Sequence, residues 1–381
     1  MIAFYVNPTA GSGRAQKAWH TLEPYLRQKH FPYTVIIDDN PRQALFALRK
    51  AYAAGPKALF VIGGDGTLSS AVNAVLGASS DKSAIRSMLS PLPFGLIPAG
   101  SGNDMARSFH IPRNPLAAFH LQLTALQHGR VAYLDLALHV PPSTETAEHH
   151  ASLHLPSFPT LKHIDIQSKT LESKIDPASF SRSPLRSPRV ALGFIGIGFD
   201  GEVVHGLEGV HDDALKGGLD DKIVAGIDHH KGFSLAKKSL RQLSYTAGVI
   251  KTLIHFQPFD LSIRIDGREM DLKDVWMAAL LNVTHFGGGM HINPLGRVDD
   301  GLWDLIVVHR IGKGDFLRTF PRVFSGSHLR HPAVLHRRGH VFTFTVKHRL
   351  RELYAQQDGD LISLPQTVEI LPRCLPFLLP E

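Results

Sequence analysis

The first 110 residues alternate short apolar runs with stretches of helical periodicity. In the helical stretches apolar residues recur at spacings of three and four, which is typical of amphipathic helices. Strands separated by helices of about 10–15 residues indicate a parallel sheet covered by helices. We therefore predict an α/β domain with a parallel sheet over residues 1–130, with strands at Ile2–Val6, Tyr33–Ile37, Ala58–Ile62 and Phe94–Ile97.

From Val131 the pattern changes to short runs rich in β-branched and aromatic residues, separated by turn residues such as Asp266-Gly267. This pattern predicts a second, β-rich domain over 131–365, antiparallel and sandwich-like. The segment 366–381 is expected to pack back on the first domain. The predicted strands of the second domain are Val131–Val140, Arg189–Ile197, Asp260–Ile265, Val275–Val283, Trp303–Val308 and Val341–Val346.

Two helices and one insertion are predicted within the second domain. The helices are Leu235–Phe256 and Asp315–Phe324, and four basic residues in the first of them exclude it as a bilayer span. The insertion, 141–188, is rich in Ser, Pro, Thr and His with little periodicity, which is typical of a disordered segment. Met1 is followed directly by a strand-like run, so no secretory leader is indicated.

The charge of the chain is unevenly distributed. Its 41 Lys+Arg and 34 Asp+Glu give a net charge of +7, and 310–351 holds ten Lys/Arg and one acid, Asp315. This stretch is either a solvated basic face or a contact with anionic lipid headgroups, to which each basic residue contributes about 1 kcal/mol. No nucleic-acid recognition motif is present, so no nucleic-acid partner is expected. The single cysteine, Cys374, excludes an intramolecular disulfide and favours an intracellular compartment.

The strongest chemical signal is Gly63-Gly64-Asp65-Gly66-Thr67, where a predicted strand ends and a helix begins. Open α/β sheets bind ligands at such junctions. Glycines let the backbone approach phosphates, and the N–H groups at a helix start attract anions. Thr67 can cap the helix or contact a phosphate, and Asp65 can orient a phosphate-bound cation. The alternative is a tight turn with a capping aspartate.

A second junction of this kind, Ile97–Asp104, follows the next strand. Asn103 or Asp104 is suited to cap the next helix. Two glycine-rich junctions on neighbouring strands predict one nucleotide pocket, to which the turn Asn7–Gly13 adds a third lip with Arg14 as a phosphate contact. The order of residues fits neither a P-loop, nor a protein-kinase glycine-rich loop, nor a Rossmann fingerprint.

Taken in order, these motifs resemble the diacylglycerol kinase catalytic-domain family, which includes bacterial lipid kinases and sphingosine kinases. Further matching elements are Gly196–Asp200, Asp300–Asp304 and Asp358-Gly359-Asp360, so the resemblance spans nearly the whole chain outside 141–188. It implies a two-domain fold in which the N-terminal domain holds ATP and a lipid binds near the cleft.

The resemblance also implies roles for individual residues. Asp358 and its partner Asp360 stand at the position of the general base. Asp300, with the carbonyl oxygens of Arg297 and Leu302, stands at a structural Mg²⁺ site. The predicted ATP contacts are Asn7, Pro8, Thr9, Ala10, Gly11, Gly63, Gly64, Asp65, Gly66, Thr67, Gly100, Ser101, Asn103 and Asp104.

The acidic motif departs from the family pattern, which usually ends in Glu where this chain has Asp360. Its reach is shorter by one methylene, so the choice of base between Asp358 and Asp360 stays open. A carboxylate suits this position because a lipid hydroxyl is a poor nucleophile and must lose its proton during phosphoryl transfer. Asp358-Gly359 is also a common turn between strands, as Asp266-Gly267 is expected to be.

The predicted function is that of a lipid kinase. It would use ATP and Mg²⁺, phosphorylate a diacylglycerol-like or sphingoid-like lipid at an anionic membrane surface, and be cytoplasmic with peripheral membrane association. Two alternatives are a soluble-substrate kinase of the NAD kinase type, which shares the Gly-Gly-Asp-Gly-Thr element, and a non-catalytic lipid- or nucleotide-binding relative. No catalytic zinc is predicted, because a lone histidine such as His285 is more often structural. The lipid and the oligomeric state are left open.

Overall fold

The structure is a computed structural model that describes residues 1–38, 41–77, 81–140, 190–204, 255–348, 353–365 and 367–379, with the backbone alone for 41–43, 45 and 46. The insertion predicted at 141–188 and nearly all of the helix predicted at Leu235–Phe256 lie outside the described residues.

The N-terminal part is an α/β domain built on a parallel sheet, as predicted. Its strands lie in the order β4-β3-β1-β2, and all three pairings are parallel. Buried on both faces, β1, β3 and β4 are almost wholly apolar, which is typical of parallel strands covered by helices. The strands are β1 (Ile2–Val6), β2 (Tyr33–Ile37), β3 (Leu59–Gly63) and β4 (Phe94–Pro98), and the helices are α1 (Ala10–Gln28), α2 (Pro41–Ala53), α3 (Asp65–Leu76), α4 (Lys82–Leu89), α5 (Asp104–Ser108) and α6 (Pro115–Gln127).

The C-terminal part is β-rich and largely antiparallel, which confirms the predicted fold class. One helix, α7 (Lys313–Thr319), and two 3-10 helices, Phe320–Phe324 and Ser327–Arg330, follow β10. The strands are β5 (Ala132–Val140), β6 (Val190–Ala191), β7 (Phe194–Gly198), β8 (Phe259–Ile265), β9 (Arg268–Leu281), β10 (Trp303–His309), β11 (Val334–Gly339), β12 (Val341–His348), β13 (Ala355–Gln357), β14 (Asp360–Ile362) and β15 (Thr367–Phe377).

Three predicted elements differ from the observed ones. The strand predicted at Arg189–Ile197 is interrupted at Leu192–Gly193, whose N–H groups donate to a carboxylate rather than to a ladder. β9 begins at Arg268 instead of Val275, because its first half alternates polar and apolar residues at a half-exposed surface. The helix predicted at Asp315–Phe324 becomes a 3-10 helix from Phe320, next to Pro321, which lacks an N–H to donate.

One mixed sheet of 15 strands runs through both parts, and β15 connects them. It pairs in antiparallel fashion with β5 and β12, and its last residue, Phe377, pairs with Phe94 of β4. Within the described residues, no helix combines the length and the apolar character needed to cross a bilayer.

Candidate active site

The two glycine-rich junctions contact each other backbone to backbone. A Cβ atom added to Gly100 would lie 2.2 Å from the Cα of Gly64, and one added to Gly64 would lie 2.8 Å from the Cα of Gly100. The N–H groups of Ala99 and Gly100 donate to the carbonyl of Gly63 at 2.7 and 3.1 Å. Only glycine fits at both positions, because any side chain would push the two loops apart.

Asp65 links the first junction to the second. Its two carboxylate oxygens accept the N–H groups of Asp104 and Met105, both at 2.9 Å, at the start of α5. Burial is the main cause that raises the pKa of this carboxyl above its usual value. Asp65 therefore caps α5 and fixes the position of the second loop.

Asn103 serves the inside of the second loop. It has φ 56° and makes no side-chain capping bond to α5, so the predicted cap by Asn103 or Asp104 is wrong. Instead its Oδ1 accepts the N–H of Gly100 at 2.7 Å, and its Nδ2 donates to the carbonyl of Gly100 at 2.9 Å. Because the Asn103 side chain forms these bonds within its own loop, the N–H groups at the start of α5 are capped by Asp65 instead. Ser101, at the outer edge, is exposed.

The turn after β1 forms the third side of the site. Asn7 closes it, because its Oδ1 accepts the backbone N–H and the hydroxyl of Thr9 at 3.2 and 2.9 Å. Gly11 has φ 60°, and a Cβ there would lie 2.0 Å from the carbonyl oxygen of Ala99. Arg14 donates to the carbonyl of Gly100 at 2.5 Å. These contacts hold Pro8 and Ala10 beside the second loop.

A cavity of about 290 Å³ opens between α1 and the second loop. Three of its lining residues are cations: Arg14, Lys17 and Arg113. Ser101 and Asn103 line its other wall. Basic and hydrogen-bonding groups around a cavity of this kind favour an anionic ligand such as a nucleotide.

Asp358 lies in the tight turn of the β13–β14 hairpin. Asp358 has φ 49° and Gly359 has φ 97°, as a two-residue turn of the primed kind requires. Gln357 and Asp360 are paired in register on either side of it. The predicted turn and the predicted functional motif are therefore the same feature.

The Asp358 carboxylate accepts four hydrogen bonds and is 6% exposed. Oδ2 accepts the Ser69 hydroxyl at 2.8 Å and the Leu192 N–H at 2.9 Å, and Oδ1 accepts the N–H groups of Gly193 and Phe194, both at 3.0 Å. Burial raises the pKa of Asp358 to about 6, although all four donors act to lower it.

The turn at Asp358 packs against the beginning of α3. A Cβ on Gly66 would lie 3.4 Å from the Asp358 carbonyl oxygen, and Ser69 belongs to the same helix. The structure thus places the C-terminal acidic turn at the helix N-terminus that follows the first glycine-rich junction. Asp360, two residues further on, is half-exposed.

Two residues of α3 that the sequence interpretation missed hold this junction. Besides the Ser69 contact, Asn73 Nδ2 donates to the carbonyl of Val190 at 2.9 Å, and the Val190 N–H donates back to Asn73 Oδ1 at 3.0 Å. Gln357 Nε2 also donates to the Val190 carbonyl, at 2.8 Å. The signal available in the sequence was a pair of polar residues four apart, Ser69 and Asn73, in the mainly apolar second half of the helix.

Asp104 accepts a hydrogen bond from a glycine-rich loop of the C-terminal part. The Gly288 N–H donates to Asp104 Oδ2 at 2.7 Å, and Gly287, Gly288 and Gly289 all have positive φ. His285, which precedes this loop, stacks on His291 with ring centroids 4.7 Å apart. Burial is the main cause that lowers the pKa of His285, which favours the neutral imidazole.

Asp300, the one side chain of the predicted metal set, is paired with a guanidinium group. Asp300 Oδ1 accepts the Leu302 N–H at 3.1 Å, while its Oδ2 pairs with Arg338 of β11. Arg338 Nε also lies 3.1 Å from Oδ1 of the fully buried Asp304. Throughout the described part of the chain, no group of three or more His, Cys, Asp or Glu side chains forms a metal cluster. The predicted set has one carboxylate and two carbonyl oxygens, so a metal site at Asp300, Arg297 and Leu302 stays a prediction.

Arg338→Met is expected to lower the melting temperature by several degrees, because it removes the guanidinium group from Asp300 and from the buried Asp304, at a cost of about 1–3 kcal/mol. Asp304 would keep only its contacts with His336 and Asn293 among the described residues. For the unaltered chain without nucleotide, EDTA and added Mg²⁺ are expected to leave the melting temperature unchanged. Arg337→Met, at the exposed neighbouring position, is the control. A melting temperature of the unaltered chain that falls with EDTA would show that the chain binds a metal, and Asp300 would be the first position to test.

Comparison with known proteins identifies the family. The model of the diacylglycerol kinase catalytic domain matches residues 1–136, and that of the YegS C-terminal NAD kinase beta sandwich-like domain matches 222–379. The chain therefore carries a diacylglycerol kinase catalytic domain followed by a YegS-type C-terminal domain. It is therefore a kinase, and the two matched domains correspond to the α/β and β-rich parts of the fold.

Individual relatives extend this similarity over the length of the kinase. A diacylglycerol kinase of Mycobacterium tuberculosis is 24% identical over 382 residues, covering 100% of this chain and 95% of the relative. A sphingosine kinase 1 of Caenorhabditis elegans is 29% identical over 106 residues, 27% of this chain and 22% of its own. The crystal structure of a diacylglycerol kinase of Bacillus anthracis matches with a TM-score of 0.57 at 15% identity, covering 99% and 96% of the two chains, and supports the fold.

Proposed function

We propose that this kinase transfers the γ-phosphoryl group of ATP to a hydroxyl of a diacylglycerol-like or sphingoid-like lipid, with Asp358 as general base. The observation that carries the proposal is the position of the acidic turn. Asp358 lies against Gly66 and Ser69 of α3, so a carboxylate meets the helix N-terminus where the phosphates of a nucleotide are expected.

ATP binding is supported by the second loop, which lines the cavity through Pro98, Ala99, Ser101 and Asn103. The first glycine-rich junction and the turn after β1 pack closely on this loop, so all three lie together beside the cavity. Arg14 and Lys17 add positive charge on one side. These cations suit the triphosphate group, and the N-terminus of α3 adds its dipole.

Mg²⁺ would be held by the phosphates together with a carboxylate of the acidic turn. The half-exposed Asp360 fits this role, because Mg²⁺ binds through one or two carboxylates plus phosphate oxygens and needs no larger acidic cluster. When bound, the ion neutralises the charge on the phosphates. By binding this ion, Asp360 would help to position the phosphates of the nucleotide.

Asp358 becomes available as a base if one of its four donors leaves. Three donors are backbone N–H groups fixed by the interruption between β6 and β7, whereas the Ser69 hydroxyl is able to rotate away. A substrate hydroxyl that takes the place of Ser69 would lie within hydrogen-bond reach of Oδ2. A carboxylate with a pKa of about 6 is ionised at neutral pH and remains a stronger base than an ordinary aspartate.

Ser69→Ala is expected to move the acid limb of the pH–rate profile to higher pH. In the unaltered kinase, kcat/KM for the lipid acceptor should fall as pH drops through about 6, where Asp358 becomes protonated. The Ser69 hydroxyl lowers the pKa of Asp358 before the acceptor binds, so its removal raises that pKa and shifts the limb upward. The measurement is kcat/KM for the acceptor against pH under saturating ATP.

The control for this shift is Ser83→Ala, which removes an exposed hydroxyl at the start of α4 that bonds to Asp81, far from the acidic turn in sequence. It should leave the profile unchanged. An acid limb that stays in place in Ser69→Ala would mean that Asp358 is not the group that titrates, and Asp360 would become the base.

The acceptor is proposed to be a lipid because two of the similar proteins are named diacylglycerol kinase and sphingosine kinase. The second matched domain carries the name NAD kinase, so NAD is the soluble acceptor to test beside the lipids. The kinase is incubated with ATP labelled in its γ-phosphate, Mg²⁺ and mixed micelles that each contain one lipid. Label in one of the lipids supports the proposal, and label in NAD alone contradicts it.

A further inference from the structure

Three large apolar side chains stand exposed on two adjoining segments of the C-terminal part. They are Leu317 on α7, Phe324 at the end of the following 3-10 helix, and Leu295 in the loop before β10, with 52%, 58% and 61% of their surface exposed. Single exposed apolar residues are common on soluble proteins, but a group of large ones marks an interaction surface.

The two segments are in direct contact. A Cβ on Gly326 would lie 2.4 Å from Pro294, the neighbour of Leu295. The ring nitrogen Nε2 of His328 lies at hydrogen-bond distance, 2.9 Å, from the carbonyl oxygen of Ile292. The loop that carries Leu295 is therefore fixed beside the turn that follows Phe324.

The segment that carries Leu317 and Phe324 is anchored by a row of aromatic rings. Phe316 stacks on the buried Trp276 at 4.9 Å, Phe320 follows at 6.1 Å, and Phe324 lies edge-on to Phe320 at 6.4 Å. The row leads from the core to the surface. Phe324 is thus held in an exposed position by packing beneath it.

Positive charge is concentrated along the segment that carries Leu317 and Phe324. Residues 310–330 contain five Lys/Arg and one acid, Asp315, and all five cations are exposed. Asp315 lies 3.5 Å from His331 in an ion pair that forms when the histidine is protonated. The five cations are Arg310, Lys313, Arg318, Arg322 and Arg330.

We propose that Leu295, Leu317 and Phe324, with Lys313, Arg318 and Arg322, form a docking face for the surface of an anionic lipid bilayer. The proposal rests on the function given above and adds where the kinase meets its substrate. Exposed apolar side chains enter the interface between headgroups and acyl chains, while Lys and Arg around them attract anionic headgroups.

A bilayer is favoured over a protein partner by the position of the docking face relative to the active site. His291, in the same loop as Leu295, stacks on His285, and the adjacent glycine loop donates to Asp104 of the second nucleotide loop. Membrane contact at the docking face would therefore hold the cleft between the two parts close to the lipid.

The experiment measures flotation of the full chain with vesicles of phosphatidylcholine alone or with phosphatidylglycerol added. The unaltered kinase should bind the anionic vesicles at least about tenfold more tightly than the neutral ones, because each cation near the surface contributes about fivefold. Leu317→Ser/Phe324→Ser and Arg318→Ser/Arg322→Ser should each weaken binding at least about tenfold. The matched controls are Tyr133→Ser, at a residue 46% exposed on β5, and Arg268→Ser, at the exposed first residue of β9. Both should bind vesicles as the unaltered kinase does.

A second readout separates this proposal from the proposed function. Rates on a short-chain lipid below its critical micelle concentration should be the same for both double variants and the unaltered kinase. If the double variants bind anionic vesicles as tightly as the unaltered kinase, the docking face is wrong, whatever the activity. A dimer that becomes monomeric in Leu317→Ser/Phe324→Ser, with vesicle binding intact, would assign the face to a second copy and also overturn the proposal. If the unaltered kinase binds vesicles as described but phosphorylates no lipid, only the proposed function would be overturned.

Discussion

Asp358→Asn is expected to lower kcat at least about a hundredfold while ATP still binds, which is the lower end of the range for removing a general base. Asparagine keeps the size of the side chain, but its amide cannot take a proton at neutral pH. Its NH₂ group would also replace one of the two carboxylate oxygens and face two donors, either Ser69 and Leu192 or Gly193 and Phe194. The measurement is single-turnover phosphoryl transfer with saturating ATP.

The matched control is Asp266→Asn, because Asp266-Gly267 forms the turn of another hairpin, between β8 and β9. Asp266 accepts the N–H groups of His340 and Val341 and lies in no part of the site. It should retain the full rate. ATP affinity measured by calorimetry reports whether Asp358→Asn still folds. A variant that binds ATP normally and keeps its rate within about threefold would remove Asp358 from the mechanism, since a positioned base contributes far more.

Gly100→Ala is expected to weaken ATP binding at least about tenfold. The added Cβ would lie 2.2 Å from the backbone of Gly64, so the two glycine-rich loops have to separate. Their separation also strains the bonds from Ala99 and Gly100 to the Gly63 carbonyl. ATP affinity is measured by calorimetry, together with the melting temperature.

Gly314→Ala is the control for Gly100→Ala. A Cβ on Gly314 meets nothing within 4 Å, and the residue lies in α7, where alanine is favoured over glycine. It should bind ATP as the unaltered kinase does. Normal ATP binding by Gly100→Ala would show that the contact between the two loops does not shape the nucleotide site.

The glycine-rich loops could be located from the sequence because each follows an apolar strand and precedes a helix, a pattern that is local. The role of each side chain in these loops depends instead on contacts between residues far apart in sequence. Asp65 was expected to orient a cation or to cap its own tight turn, yet its carboxylate caps α5. Asn103 was expected to cap α5, yet it closes its own loop. The difference arises because the cap is supplied across the contact between the two loops, which spacing along the chain does not reveal.

The surroundings of Asp358 depend on long-range contacts. Its partners come from α3 and from the interruption between β6 and β7, and the apolar run Arg189–Ile197 reads as one continuous strand. The register of β11 against β10 likewise places Arg338 opposite Asp304, where it also reaches Asp300 before β10 begins. These contacts join residues far apart in sequence, so periodicity carries no record of them.

Transfer of label from γ-labelled ATP to a diacylglycerol in mixed micelles tests the central proposal most directly. The unaltered kinase and Asp266→Asn should form labelled lipid phosphate at equal rates, and Asp358→Asn should form almost none. Label in the lipid with equal rates from Asp358→Asn would contradict the assigned base. No labelled lipid or sphingoid base from an unaltered kinase that binds ATP would contradict the lipid kinase function itself.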